Sequence, residues 1–167
     1  MAKTRVFLAA SAFVGFALIA TPLLAEGTPV PPPPEDDKGK QKSKKTDDEF
    51  LRGYRQAYDL IQGGDYSRGI AALHALGHDE HPDVANYLGY AHRKLGAYDL
   101  SRVWYERALS ADPAHTRTWQ YYGLWHLEQG NRLKAQDHLE TIRLLCGTDC
   151  GDYRSLKTAL ESTNFTY

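Results

Sequence analysis

The chain has 167 residues, enough for one folded domain with tails. Hydrophobic residues make up 42% and charged residues 25%, the balance of a soluble globular protein. A formal charge of -1 excludes a global attraction to nucleic acid or to an anionic membrane, so local organisation must carry the function.

The N-terminus has the layout of an export signal. Lys3 and Arg5 form a short basic start, and Val6 to Ala20 is almost wholly apolar. Thr21-Pro22-Leu23-Leu24-Ala25 then ends in a small residue before Glu26. This is the order of a secretory signal peptide over residues 1–25, with cleavage expected after Ala25. The alternative is an uncleaved anchor, because residues 6–25 are about long enough to span a bilayer and would leave the rest facing the periplasm. No cysteine lies near the cleavage point, which argues against a bacterial lipoprotein.

Residues 26–49 read as a linker. Pro29 and Pro31 to Pro34 favour an extended polyproline II form. Glu35 to Glu49 is nearly all charged or polar, with Lys38, Lys40, Lys42, Lys44 and Lys45 among Asp36, Asp37, Asp47, Asp48 and Glu49. With no apolar side chains to bury, this segment is expected to be disordered. Two roles fit it: a spacer, or a Pro-rich or basic docking peptide.

From Phe50 onward apolar residues recur every three or four positions, the period of helix, and strand signals are absent. The predicted helices are 48–62, 65–76, 82–95, 97–111, 115–129, 131–145 and 152–162. Asp65 can cap the second of these by accepting from free backbone N–H groups. Pro82 suits a first helical turn. Gly96 and Gly130 suit left-handed positions just past a helix, and Pro113 marks the boundary after Ala111.

These helices repeat. Asn86-Tyr87-Leu88-Gly89 aligns with Gln120-Tyr121-Tyr122-Gly123, and the same offset pairs His92 with His126, Gly96 with Gly130 and Tyr105 with Leu139. The unit 82–115 carries Leu88, Gly89, Gly96, Tyr105, Ala108 and Pro113. The unit 116–149 carries Trp119, Tyr122, Gly123, Gly130, Ala135 and Leu139. An earlier unit, 50–81, retains Ala57, Leu60, Gly64, Tyr66 and Leu73 but is slightly shorter. Offset and pattern together resemble the tetratricopeptide repeat, in which paired helices recur every ~34 residues. The departures are Ser101 and Gly69 in place of a small Ala, and His92 and His126 in place of an aromatic. The resemblance implies an all-α fold: a right-handed superhelical array of antiparallel helix pairs, about three units over 50–149. Gly89 and Gly123 would permit close helix approach, with Tyr105, Leu139, Ala108 and Ala135 interlocking. An array also needs a polar-faced end. Residues 150–167 supply a cap and tail, with Tyr153, Leu156 and Leu160 on one face and Arg154, Lys157 and Glu161 outside.

Cys146 and Cys150 are the only cysteines. An even count in an exported chain favours a disulfide holding the cap to the array. The alternative is a metal- or thiol-handling accessory protein using this C-x3-C pair. His74 and His78 could share a helix face and hold zinc, but no H-E-x-x-H pattern is present and no metal site is expected. There is no G-x-S-x-G, phosphate loop or Gly-rich dinucleotide turn, so neither an enzyme activity nor a cofactor is expected.

What the family resemblance implies is recognition. Its groove positions, carried onto this chain, are Tyr54, Tyr58, Asn86, Tyr90, Arg93, Lys94, Arg117, Gln120, Leu124 and Leu127. Amides can pair with a peptide backbone, Arg can hold a carboxylate bidentately, and Tyr supplies rigid contact area. The alternative reading of Tyr54, Tyr58 and Tyr90 is that they seal the array between repeats. The expected function is therefore a non-enzymatic protein-interaction module or scaffold in the bacterial periplasm, binding a partner protein or an extended peptide. No nucleic acid and no membrane insertion after signal cleavage are expected, and self-association through open array ends is possible.

Overall fold

The computed structural model describes residues 37–162. The expected signal peptide, the linker as far as residue 36 and the tail from residue 163 lie outside the described residues. Within them the helices are α1 (Asp37–Gln62), α2 (Tyr66–Ala75), α3 (Pro82–Lys94), α4 (Tyr98–Ala111), α5 (Thr116–Glu128), α6 (Arg132–Cys146) and α7 (Gly151–Glu161).

Local chemistry sets most of the boundaries. The Asp65 carboxylate accepts from the Arg68 N–H at the start of α2. Pro82 opens α3, where the missing N–H costs nothing, and the His81 ring accepts from the Asp83 N–H. Gly96 and Gly130 close α3 and α5 at φ 74° and 75°, a region that side-chain-bearing residues avoid.

One boundary differs from expectation. Composition predicts a disordered linker as far as Glu49, but α1 begins at Asp37. The reason is cooperativity. Phe50 to Gln62 is anchored by packing, and extending an existing helix needs no new nucleus. Lys, five of the thirteen residues in 37–49, is a good helix former even with nothing to bury.

The helices form antiparallel pairs, α1 with α2, α3 with α4 and α5 with α6, stacked in the superhelical manner of the tetratricopeptide repeat. The first helices of the pairs also meet: α1 touches α3, α3 touches α5, and α5 touches α7. Thus α7 occupies the place where a fourth pair would begin. It buries Leu156, Ala159 and Leu160 and exposes Arg154, Lys157 and Glu161. Fully burying one such Leu stabilises by about 1.5–3 kcal/mol.

Inside each pair the contact repeats with different atoms. At Gly89 a Cβ would come within 2.6 Å of the Tyr105 ring, so only glycine lets that ring lie flat on α3. Ser101, where the repeat pattern has Ala, donates its hydroxyl to the Gly89 carbonyl at 2.8 Å and is fully buried. At Gly123 a Cβ would meet Leu156 of the cap instead. The same glycine position thus receives its own pair's aromatic ring in the middle unit and the cap in the last. In the first unit Ala57 and Leu73 are both fully buried in one core cluster.

Cys146 ends α6, Gly147 turns the chain, and Cys150 precedes α7. The two cysteines are joined in a disulfide. Closing so short a loop stabilises by about 2 kcal/mol in the chain-entropy estimate.

Candidate functional site

Stacking first helices side by side brings their tyrosines together. Tyr54 and Tyr58, one turn apart on α1, both meet Tyr87 of α3, with ring centroids at 6.0 and 5.4 Å and edge-to-face planes. Tyr87 meets Tyr121 of α5 at 6.4 Å, and Tyr121 lies 5.1 Å from Tyr90. Tyr66 of α2 extends the set beyond Tyr90. The edge-on arrangements place the positive rim of one ring on the negative face of the next. They leave the outer rings, Tyr58 above all, with open faces: Tyr58 is 38% exposed.

Tyr54, Arg55, Tyr58 and Gln62 of α1, Tyr87 of α3, and Arg117 and Tyr121 of α5 line one cleft of about 510 Å³. Arg55, Gln62 and Arg117 are exposed at its rim. Burial, reinforced by Asp83, pushes the Tyr54 hydroxyl well above the ordinary phenol range, and burial does the same for Tyr87 and Tyr121. The Arg117 guanidinium opposes the rise in all three. Tyr54, Tyr87 and Tyr121 are therefore neutral hydroxyls at ordinary pH, and the two arginines carry the charge of the cleft. Flat apolar faces, fixed O–H donors and two guanidinium groups can hold a chain with apolar side chains, backbone carbonyls and a carboxylate.

The groove positions inferred from the sequence divide into two groups. Tyr54, Tyr58 and Arg117 line the cleft. Tyr90 and Lys94 lie beside it, the Lys94 ammonium 5.7 Å from the Tyr90 ring centre. The others are corrected by the structure. Asn86 is fully buried and accepts from the Thr118 hydroxyl at 3.2 Å. Arg93 is buried; its Nη1 donates to the Tyr121 carbonyl at 3.0 Å and its Nε stands 3.8 Å from the Glu128 carboxylate. Gln120 is buried and donates to the Ser155 hydroxyl of α7. Leu124 is buried in the core under α7, and Leu127 packs against the same core. In a short array the third unit faces the cap, so its groove positions are consumed by α7. Those between α3 and α5 are consumed by the joint between pairs.

That joint is polar. His115 bridges Asp83 (Nε2 to Oδ1, 3.1 Å) and Thr118 (Nδ1 to Oγ1, 2.6 Å), and Thr118 continues to Asn86. The hydrogen bond from His115 holds the Asp83 carboxyl below the ordinary carboxylate range. Between α5 and α6 the His138 ring, 7% exposed, donates from Nδ1 to the Trp119 carbonyl at 3.2 Å and meets His126 edge-on at 4.9 Å.

Sequence reasoning missed Arg55, Gln62, Tyr87 and Tyr121. The signal was present: Tyr121 stands one repeat after Tyr87. These two residues carry the register of the repeat and line the groove as well. The histidine cluster is structural: His74 pairs with Asp79 at 2.9 Å, and His78 and His81 pack on the Phe50 ring. Among the described residues no group of three or more His, Cys, Asp or Glu side chains could hold a metal ion, and no helix is long and apolar enough to cross a membrane.

No protein-family model matches the chain. The uncharacterized protein ycf37 of Guillardia theta is 28% identical over 95 residues, which is 57% of this chain and 47% of that protein. The chain thus spans about half the length of the curated relative it matches. Solved structures similar to it include three complexes. The type III secretion chaperone SycD of Yersinia enterocolitica, in complex with a peptide of the translocator YopD, has a TM-score of 0.58 at 21% identity, covering 68% of this chain and 87% of that one. PcrH, in complex with the chaperone binding region of PopD, has a TM-score of 0.57 at 18% identity, covering 68% and 86%. The first TPR of Spaghetti (RPAP3), bound to the HSP90 peptide SRMEEVD, has a TM-score of 0.56 at 14% identity, covering 68% and 94%. Three stacked helix pairs, the close Gly89–Tyr105 contact of the middle pair and these likenesses together establish the fold of this chain as a tetratricopeptide-repeat array closed by a seventh helix.

Proposed function

We propose that this chain is a non-enzymatic interaction module of the bacterial periplasm that takes an extended segment of a partner protein in the cleft between α1, α3 and α5. One observation carries the reading: four tyrosines and two arginines from three helices converge on one open cleft. The other polar groups inferred for a groove, Asn86, Arg93 and Gln120, are buried in joints within the array. Three similar solved structures are complexes with peptides or with a partner's binding region, which supports the same use of the fold here. The basic and apolar start of the sequence supports export, with the array acting after cleavage or from a membrane anchor.

Binding of an extended segment to such a surface depends on a few aromatic and Arg anchors. Affinity capture with crosslinking from a periplasmic extract tests the proposal. The expected result is a partner retained by the wild-type chain and lost from Y58A and R117A, with thermal unfolding little changed. Equal capture by all three chains would show that the cleft is not the binding surface. Cell fractionation with N-terminal sequencing tests the location, and a mature chain starting at Glu26 is the expected product.

A further inference from the structure

The sequence contains a segment whose chemistry matches the cleft. Pro31 to Pro34 is a run of four prolines, followed directly by Glu35 and Asp36. A proline run is a ready-made extended ligand. It loses little conformational freedom on binding, it presents ring faces and bare carbonyls, and aromatic-lined grooves are the surfaces that recognise it. The cleft offers the complement: the rings of Tyr54 and Tyr58 beside the buried Tyr87, and guanidinium groups at Arg55 and Arg117. The order also fits, with apolar rings first and two carboxylates immediately after them.

Chain length decides which copy can supply the segment. From Asp37 to Tyr54 the chain is continuous helix. At 1.5 Å per residue that stretch is about 25 Å of rigid rod. Residues 31–36 span at most about 22 Å even when fully extended. Even folded straight back along α1, the proline run falls short of the cleft of its own chain. A second copy has no such limit.

We propose that the tyrosine–arginine cleft of one copy binds the proline–acidic segment Pro31 to Asp36 of a second copy, so that the chain associates with itself through its own N-terminal segment. This rests on the reading of the cleft as a peptide site and names its occupant. A partner protein with the same proline–acidic chemistry would have to compete with this segment. Self-association therefore keeps the cleft covered until such a partner arrives.

The test is sedimentation velocity on the chain purified as the cell makes it, up to about 1 mM, a range that captures weak peptide-type affinities. Two variants accompany it: P31S/P32S/P33S/P34S, which lies outside the helical array and leaves it intact, and Y58A/R117A, which opens the cleft. The wild-type chain is expected to associate, each variant about tenfold more weakly. A mixture of the two variants should form a one-to-one complex, one contributing its cleft and the other its segment. Association by the proline variant at the wild-type level overturns the proposal. A wild-type chain that stays monomeric while its cleft still takes partner-derived peptides overturns it too, but leaves the cleft reading standing. Monomers that also take no peptide sink both.

Discussion

Between α1 and α3 the facing side chains are tyrosines. Tyr54 and Tyr58 lie against Tyr87, the cleft stays open, and its charges, Arg55 and Arg117, sit at the exposed rim. Between α3 and α5 the facing side chains include Asn86, Thr118, His115 and Asp83, joined by hydrogen bonds, with Arg93 buried against Glu128 and the Tyr121 carbonyl. Both joints are made where first helices stack, yet one leaves binding groups accessible and the other spends them. Buried polar groups must be satisfied and their loss is costly, whereas exposed aromatic and Arg groups contribute little to the fold and much to recognition. Stability and binding are thus divided between adjacent joints, and substitutions can separate them.

The largest expected effect is on the sealed joint. Arg93→Ala strands the Glu128 carboxylate and the Tyr121 carbonyl, and is expected to cost about 3 kcal/mol, read as a fall in the midpoint of urea unfolding. An unchanged midpoint would mean that this joint does not hold the array together.

Acid should weaken the last pair, α5 with α6. Burial, reinforced by His126, pushes the His138 imidazole down to about 4, so the folded chain keeps it neutral while the unfolded chain binds a proton below about 6.5. Stability from this group is fully present above about pH 6.5 and is lost as pH falls toward 4, by up to about 3 kcal/mol. Asp83 is held low by His115, so its contribution is lost only at lower pH, below about 4. Unfolding midpoints measured between about pH 7 and 4.5 should slope downward, and His138→Phe should flatten the slope while keeping the ring contacts. A His138→Phe chain with the wild-type slope would assign the acid sensitivity elsewhere.

Thr118→Val keeps the side-chain shape and removes the hydroxyl between His115 and Asn86, for an expected loss of about 1–2 kcal/mol. The smallest effects belong to the open joint. Tyr58→Ala and Arg117→Ala should each change stability by about 1 kcal/mol or less, with capture of the partner reduced about tenfold. Calorimetry beside a binding assay on the same samples checks the pair. A large loss of stability at Tyr58 would mean that the tyrosines seal the array, and the contrast between the joints would fail.

The repeat was legible because its signals are local and periodic. Gly96 and Gly130 end helices through backbone conformation, Asp65 caps through its own carboxylate, and the constant offset between units shows without any coordinates. The start of α1 was less legible. Residues 37–49 carry no apolar group that would announce a helix, and their order depends on growth from a packed neighbour. The site was half legible. Helical spacing does not say how far the next pair rotates, and that rotation buries both Asn86 and Tyr87 while leaving Tyr58 and Arg117 exposed.

The sequence by itself determined the helices, their pairing, the cap and the cysteine pair, because each depends on near neighbours: period, turn residues and short loop closure. Only the tertiary structure decided which side chains face solvent. Burial of Asn86, Arg93, Gln120 and Leu124 depends on α5 and α7, which are distant in sequence and arrive only when the stack closes. What that closure left open is the tyrosine–arginine cleft, because among the described residues no further helix packs over α1 and α3 at that point.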